Sequence, residues 1–168
     1  DIINFNKQGI HSRIYIVSDK AAKYNFINEL TGDCNDNGYQ VPDDITDPKK
    51  RMKEVIKMLT NPKYDGYYTF LTYSKLNNDV KNGKLTNINN SLMIIDEAHH
   101  LVNPYKWNES ILKLFDNSTN YKLVFLTATP VFNNVEQFVN FVNLIVKKND
   151  RITASDIFDD NMEITEDG

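Results

Sequence analysis

The run Asp96-Glu97-Ala98-His99 holds the residues best suited to chemistry, because of where it falls in the chain. It follows Leu92-Met93-Ile94-Ile95, a continuous apolar run of strand length. In open parallel sheets, ligands bind outside the carboxyl ends of the strands. Mg²⁺ at such a place keeps most of its waters and takes only one or two carboxylates beside nucleotide phosphates. Asp96 could supply that contact, and Glu97 could orient and deprotonate a water that attacks a terminal phosphate. The same two carboxylates would also suit the start of a helix, where negative charge meets the positive end of the dipole.

A second run, Thr127-Ala128-Thr129-Pro130, closes the next apolar segment, Lys122 to Leu126. Threonine hydroxyls there could hydrogen-bond to the Asp96–His99 segment and sense the phosphate. A strand capped by Thr and stopped by Pro is the plainer reading of that run by itself. The two runs gain weight together, since each ends an apolar strand and one helix-sized segment separates them, as a βαβ unit requires. A metal-enzyme reading starts from Asp96, His99 and His100, which stand at i, i+3 and i+4 on a helix. It fails for want of the His-Glu-x-x-His pattern of catalytic zinc helices. Neither His11 nor Cys34 belongs to a ligand motif.

The elements that must position these residues follow from apolar periodicity. Short apolar runs alternate with longer segments of helical period, the signature of a parallel α/β sheet. Strands are expected at Arg13 to Ser18, Tyr67 to Leu71 (leading into Thr72-Tyr73-Ser74), Leu92 to Ile95 and Lys122 to Leu126. Helices are expected over the stripe Ala21, Ala22, Tyr24, Phe26, Ile27 and Leu30, over Pro48 to Leu59, Trp107 to Phe115, and about Val135 to Val146. Asn82-Gly83 and the polar stretch Asp33 to Pro48 read as turn and loop.

The bulk numbers narrow the classes. A chain of 168 residues and 19.5 kDa fits one domain with a real core. No run of about 18 apolar residues is present, and no secretory signal is read at Asp1-Ile2-Ile3-Asn4. A single cysteine favours a reducing, intracellular setting. The net charge of −4 argues against a protein that binds nucleic acid by overall basicity, though a local groove on an acidic surface remains compatible with a motor. Asn makes up about one residue in seven, which points to an AT-rich genome.

Two stretches carry a resemblance. MIIDEAHHL followed by LVFLTATPVFNN resembles motifs II and III of superfamily 2 helicases of the DEAH/DEAD type. RIYIVSDKAAKYNFINEL is similar to the segment around motif Ia, and FLTYSKL to the Thr-Tyr segment before motif II. TATPVFNNVEQFVNFVNLI is similar to helicases and transcription-associated ATPases of large DNA viruses, and more distantly to chromatin-remodelling motors. Asn133 and Glu136 fit the Asn-x-x-Glu that follows motif III in that group, and Asp156-Ile157-Phe158-Asp159 resembles the stretch beyond. The resemblance covers about Arg13 to Phe158.

It implies a RecA-like parallel sheet with helices on both faces, a partial P-loop NTPase domain over residues 1–150, with 151–168 opening the following segment. It implies ATP and Mg²⁺ as cofactors, DNA or RNA as partner and a second RecA-like domain of the same protein; no membrane is expected, for want of a long apolar run. The viral side of the likeness extends this to viral transcription machinery and to a virion or cytoplasmic viral factory. Residue by residue, it gives Asp96 a Mg²⁺ contact through water, Glu97 the role of base, and His99 a link between the nucleotide and the strand-binding surface. Thr127 and Thr129 would couple hydrolysis to movement. Ser18, Lys20, Thr72 and Tyr73 would lie near the nucleic-acid backbone.

One departure stands out. No Gly-x-x-x-x-Gly-Lys-Ser/Thr loop occurs, and the only Gly-Lys, Gly83-Lys84, is followed by Leu85 in a turn. Without that loop no nest of backbone N–H groups cradles the phosphates and no lysine reaches them. In the family the loop lies just upstream of a strand like Arg13 to Ser18. The expectation is therefore a fragment of a first motor domain that by itself does not hydrolyse ATP at a useful rate. The alternative is a catalytically inactive helicase-like module that only binds nucleic acid or protein partners. The missing loop suits that alternative, while Asp96, Glu97, His99 and Thr129 keep residue types suited to catalysis.

Overall fold

Four short aliphatic runs pair into one parallel sheet in a computed structural model that describes residues 13–31, 45–61, 63, 67–102, 108–128 and 135–157. The strands are β1 (Arg13–Val17), β2 (Tyr68–Leu71), β3 (Ser91–Ile95) and β4 (Lys122–Phe125), in the order β2-β1-β3-β4. The helices are α1 (Lys20–Thr31), α2 (Pro48–Thr60), α3 (Tyr73–Lys81), α4 (Asn108–Asp116) and α5 (Val135–Ile145). A 3-10 turn spans Ala98–Val102, and two more cover Lys148–Asp150 and Ala154–Asp156.

A strand sends successive side chains to opposite faces, so a sheet buried on both sides needs apolar residues without a gap. β3 satisfies this, with every residue from Ser91 to Ile95 buried. Ile14, Ile16, Leu92 and Ile94 pack on one face with Ile27 of α1 and Val55 and Leu59 of α2. Val17, Met93 and Ile95 pack on the other with Leu76 of α3, Ile111, Leu114 and Phe115 of α4, and Leu144 of α5. The α/β architecture with helices on both faces is thus the expected one. β4 is the last strand of the order, and its Lys122, Val124 and Leu126 alternate as exposed positions.

Local chemistry sets the helix starts. Asp47 caps α2, its carboxylate accepting from the N–H groups of Lys49 and Lys50, both at 2.9 Å, with Pro48 in the first turn where no N–H is required. Val55 and Leu59, four apart, turn the apolar side of α2 to the sheet.

The strand ends at Leu71, as the sequence reading has it, but that reading names no helix after it, and one begins at Tyr73. Thr72 caps it, its hydroxyl accepting from the Lys75 N–H at 3.2 Å, and Leu76 is fully buried beneath. Tyr73, Leu76 and Val80, at helical spacing, all meet the same cluster. The helix closes at Asn82, with Gly83 at φ +68°, the left-handed conformation in which glycine meets no steric cost. The alternative weighed for Asp96-Glu97, a helix start, is excluded. Glu97 has φ +51°, which no α-helix contains, and a 3-10 turn follows from Ala98. Asp96 and His99 therefore do not share a helix face.

Boundaries otherwise shift by a residue or so. The expected Trp107 to Phe115 helix is Asn108–Asp116, and the Asp33 to Pro48 loop falls largely outside the described residues. The segment after α5 is tied back to the domain. Arg151 donates to the Asp116 carboxylate at 2.6 and 3.0 Å, and Ile152 exchanges hydrogen bonds with the Asn143 side chain at 2.8 and 2.9 Å.

Candidate functional site

Parallel pairing aligns the strand ends. Val17 is in register with Leu71 and with Ile95, and Ile95 with Phe125, so the last residues of all four strands form one row. Hydrogen bonding continues one step past that row. Ser18 N–H donates to the Leu71 carbonyl at 3.1 Å, Asp96 N–H to Val17 at 2.9 Å, and Leu126 N–H to Ile95 at 2.9 Å. Ala98 N–H then donates to Leu126 at 2.9 Å, which ties the two expected motifs directly. Ser18, Asp96 and Thr127 therefore leave the sheet along one edge, the edge at which parallel α/β sheets bind ligands.

At that edge Asp96 and Glu97 are partly buried, with Glu97 in the left-handed region. The Glu97 carboxylate is 3.2 Å from Nδ1 of His99, and the same nitrogen is 3.1 Å from the Thr127 hydroxyl. Glu97, His99 and Thr127 thus form a chain of polar contacts between the ends of β3 and β4. The rings of His99 and His100 lie 4.4 Å apart, and His100 meets Tyr73 edge-on at 5.4 Å.

Tyr73 is the member whose role the sequence did not reveal. Its hydroxyl, which carries one hydrogen, lies within hydrogen-bond reach of the backbone carbonyls of both Asp96 and Glu97, the latter at 3.0 Å. Burial, and then the charges of Asp96, Glu97 and Asp19, push its hydroxyl well above the ordinary tyrosine range, which keeps it a donor. The contact spans 24 residues, and neither composition nor local spacing announces it.

The remaining sequence-selected residues lie as follows. Ser18 is buried at the end of β1 and donates to the Asp19 carbonyl at 3.1 Å. Lys20 is exposed at the start of α1, and Thr72 caps α3. Thr129 lies outside the described residues, as do Pro130 and Asn133.

The donor set fits a hard, hydrated cation. No group of three or more His, Cys, Asp or Glu suited to a metal ion forms among the described residues. Mg²⁺ needs no such cage, because one or two carboxylates with waters and phosphates suffice. Asp96 and Glu97 are the carboxylates at hand. Among the described residues, no helix is long and apolar enough to cross a membrane.

Comparison with known proteins agrees with this geometry. The chain is 30% identical over 161 residues, 91% of its length, to the R563 protein of Acanthamoeba polyphaga mimivirus, whose name describes an ATP-dependent RNA helicase. It is 29% identical over 145 residues, 80% of its length, to the helicase-named 087L protein of Invertebrate iridescent virus 3. It spans 28% and 14% of those two proteins. The helicase domain of Hef from Pyrococcus furiosus superposes with a TM-score of 0.55 at 16% identity, over 85% of this chain and 29% of that one, which shows the shared RecA-like fold. Residues 4–132 match the family described as "Type III restriction enzyme, res subunit". The strand-end motifs, the sheet that aligns them and this match converge: the chain belongs to that family and is a superfamily 2 helicase-type domain with viral relatives.

Proposed function

We propose that this domain is the nucleotide-hydrolysing part of an ATP-dependent motor that moves on DNA or RNA. The observation that carries the reading is the contact chain from Glu97 through His99 to Thr127 across the carboxyl edge of the sheet. A base at the end of one strand is joined there to a hydroxyl at the end of the next, so a change at the phosphate can be felt by a neighbouring element. In this reading Asp96 holds Mg²⁺ through water, which would neutralise charge on the phosphates when bound. Glu97 orients the attacking water and takes its proton. His99 keeps the Glu97 carboxylate aimed, and Thr127, with Thr129, relays the state of the site toward the surface that holds nucleic acid. Lys20 and Thr72, at helix starts on the same edge, belong to that surface. Ser18 braces the end of β1 beneath it.

The phosphate loop is absent from the 168 residues, so hydrolysis is proposed for the complete gene product, together with a second RecA-like domain. The mimivirus and iridovirus likenesses support a viral setting for it, and work beside viral transcription machinery is a further part of the proposal. The test is Glu97→Gln in the complete gene product. Nucleic-acid-stimulated ATP hydrolysis should fall by roughly a hundredfold or more, the scale of losing a general base, while ATP binding persists. Turnover at the normal rate in that variant would remove Glu97 from its assigned role.

A further inference from the structure

We infer that Tyr73 is a positioning residue for Glu97, one hydroxyl fixing both peptide planes that flank the proposed base. This rests on the motor reading above. The backbone geometry makes the case. The Asp96 carbonyl belongs to the peptide before the Glu97 Cα, and the Glu97 carbonyl to the peptide after it. The single hydrogen of the Tyr73 hydroxyl is shared between the two oxygens, both within its reach. Holding those two planes sets φ and ψ of Glu97 together, and with them the direction in which its side chain leaves the chain.

Glu97 needs such a hold. At φ +51° it sits in the left-handed region, where a residue with a side chain is strained by about 1–3 kcal/mol and persists only if its surroundings over-determine it. Backbone bonds supply part of that constraint. Asp96 N–H is held by Val17, Ala98 N–H by Leu126, and His100 N–H by Glu97 itself at 3.0 Å. None of these fixes both carbonyl oxygens at once, whereas Tyr73 does. The tyrosine is in turn held rigidly. It opens α3 directly after the Thr72 cap, packs against the core, and meets the His100 ring edge-on.

Tyr73 thereby does something different from a nucleic-acid contact, and the two roles separate by measurement. The complete gene product is compared with its Tyr73→Phe variant, which keeps the ring and removes only the hydroxyl. At saturating nucleic acid, kcat for ATP hydrolysis should fall by roughly tenfold to a hundredfold, the scale of a misplaced reacting group. KM for ATP and affinity for a single-stranded oligonucleotide should stay within about twofold, as for an interaction that acts only on the chemical step. On a Glu97→Gln background the added Tyr73→Phe should change the residual rate little, since both act through one group. Hydrogen exchange at the Ala98 and His100 amides should quicken in Tyr73→Phe as the turn loosens.

An unchanged kcat overturns the inference, whatever the exchange shows. Weakened oligonucleotide binding with normal kcat at saturation makes Tyr73 a nucleic-acid contact and overturns it too. If the unmodified protein hydrolyses no ATP, the motor reading falls separately, and exchange at Ala98 and His100 alone decides whether Tyr73 clamps the turn.

Discussion

Nδ1 of His99 stands 3.1 Å from the hydroxyl of Thr127, a contact across 28 residues that joins the ends of β3 and β4. The same nitrogen is 3.2 Å from the Glu97 carboxylate, so any shift of Thr127 moves the ring that aims the proposed base.

From that relationship, His99→Ala and Thr127→Val should each lower nucleic-acid-stimulated ATP turnover while leaving ATP affinity in place. The double variant should lose less than the sum of the two single losses, with an interaction of about 0.5–3 kcal/mol in a double-mutant cycle. Strict additivity would mean that the two side chains do not act as a unit.

The sheet makes a prediction about stability. Ile94 and Ile95 are adjacent but serve opposite faces, the first against α1 and α2, the second against α3, α4 and α5. Either substitution by Ala should cost about 2–5 kcal/mol in urea unfolding, because a buried aliphatic group is lost and a cavity is left. A loss below about 1 kcal/mol at either position would show that its face is not packed as described.

Helix α2 should depend on its N-cap. Asp47→Ala removes the acceptor for two backbone N–H groups and should cost about 1 kcal/mol, whereas Asp47→Ser should largely preserve stability. Thermal or urea unfolding of the two variants side by side decides it.

Alkaline pH should weaken the fold through its tyrosines. Burial raises the hydroxyls of Tyr15, Tyr73 and Tyr121 above the ordinary value of 10.0. A group raised in the folded state contributes stability that is complete below its unfolded pKa and is lost as pH climbs toward the folded one. Stability should therefore hold up to about pH 10 and decline beyond it. Tyr73→Phe should show a smaller decline than the unmodified protein when urea unfolding is compared at about pH 8 and about pH 11.

Much of this architecture is legible in the sequence. Four apolar runs of strand length, separated by helical stripes, give the parallel sheet, and the placement of Asp96 and Thr127 at strand ends puts them on one edge. Two things are not legible, for physical reasons. Helix α3 hides because its nine residues are mostly polar and carry only Leu76 and Val80 as an aliphatic stripe, so burial of Leu76 in the core is what marks it. The left-handed Glu97 hides because its conformation is set by partners far along the chain, chiefly Tyr73, Val17 and Leu126. Local propensity assigns a glutamate to a helix start, and tertiary hydrogen bonds overrule it.

The row formed by Leu71, Val17, Ile95 and Phe125 bears on how this domain can vary. Ser18, Asp96 and Thr127 count their position from that row, so a single-residue insertion or deletion within β3 would do more harm than most substitutions. It would move Asp96 by one strand step, about 3.3 Å, and send every β3 side chain to the wrong face. Length changes should therefore be admitted in the connections between strands and helices and excluded from the strands themselves. In this domain the spacing between residues is under tighter constraint than many of the residues that fill it.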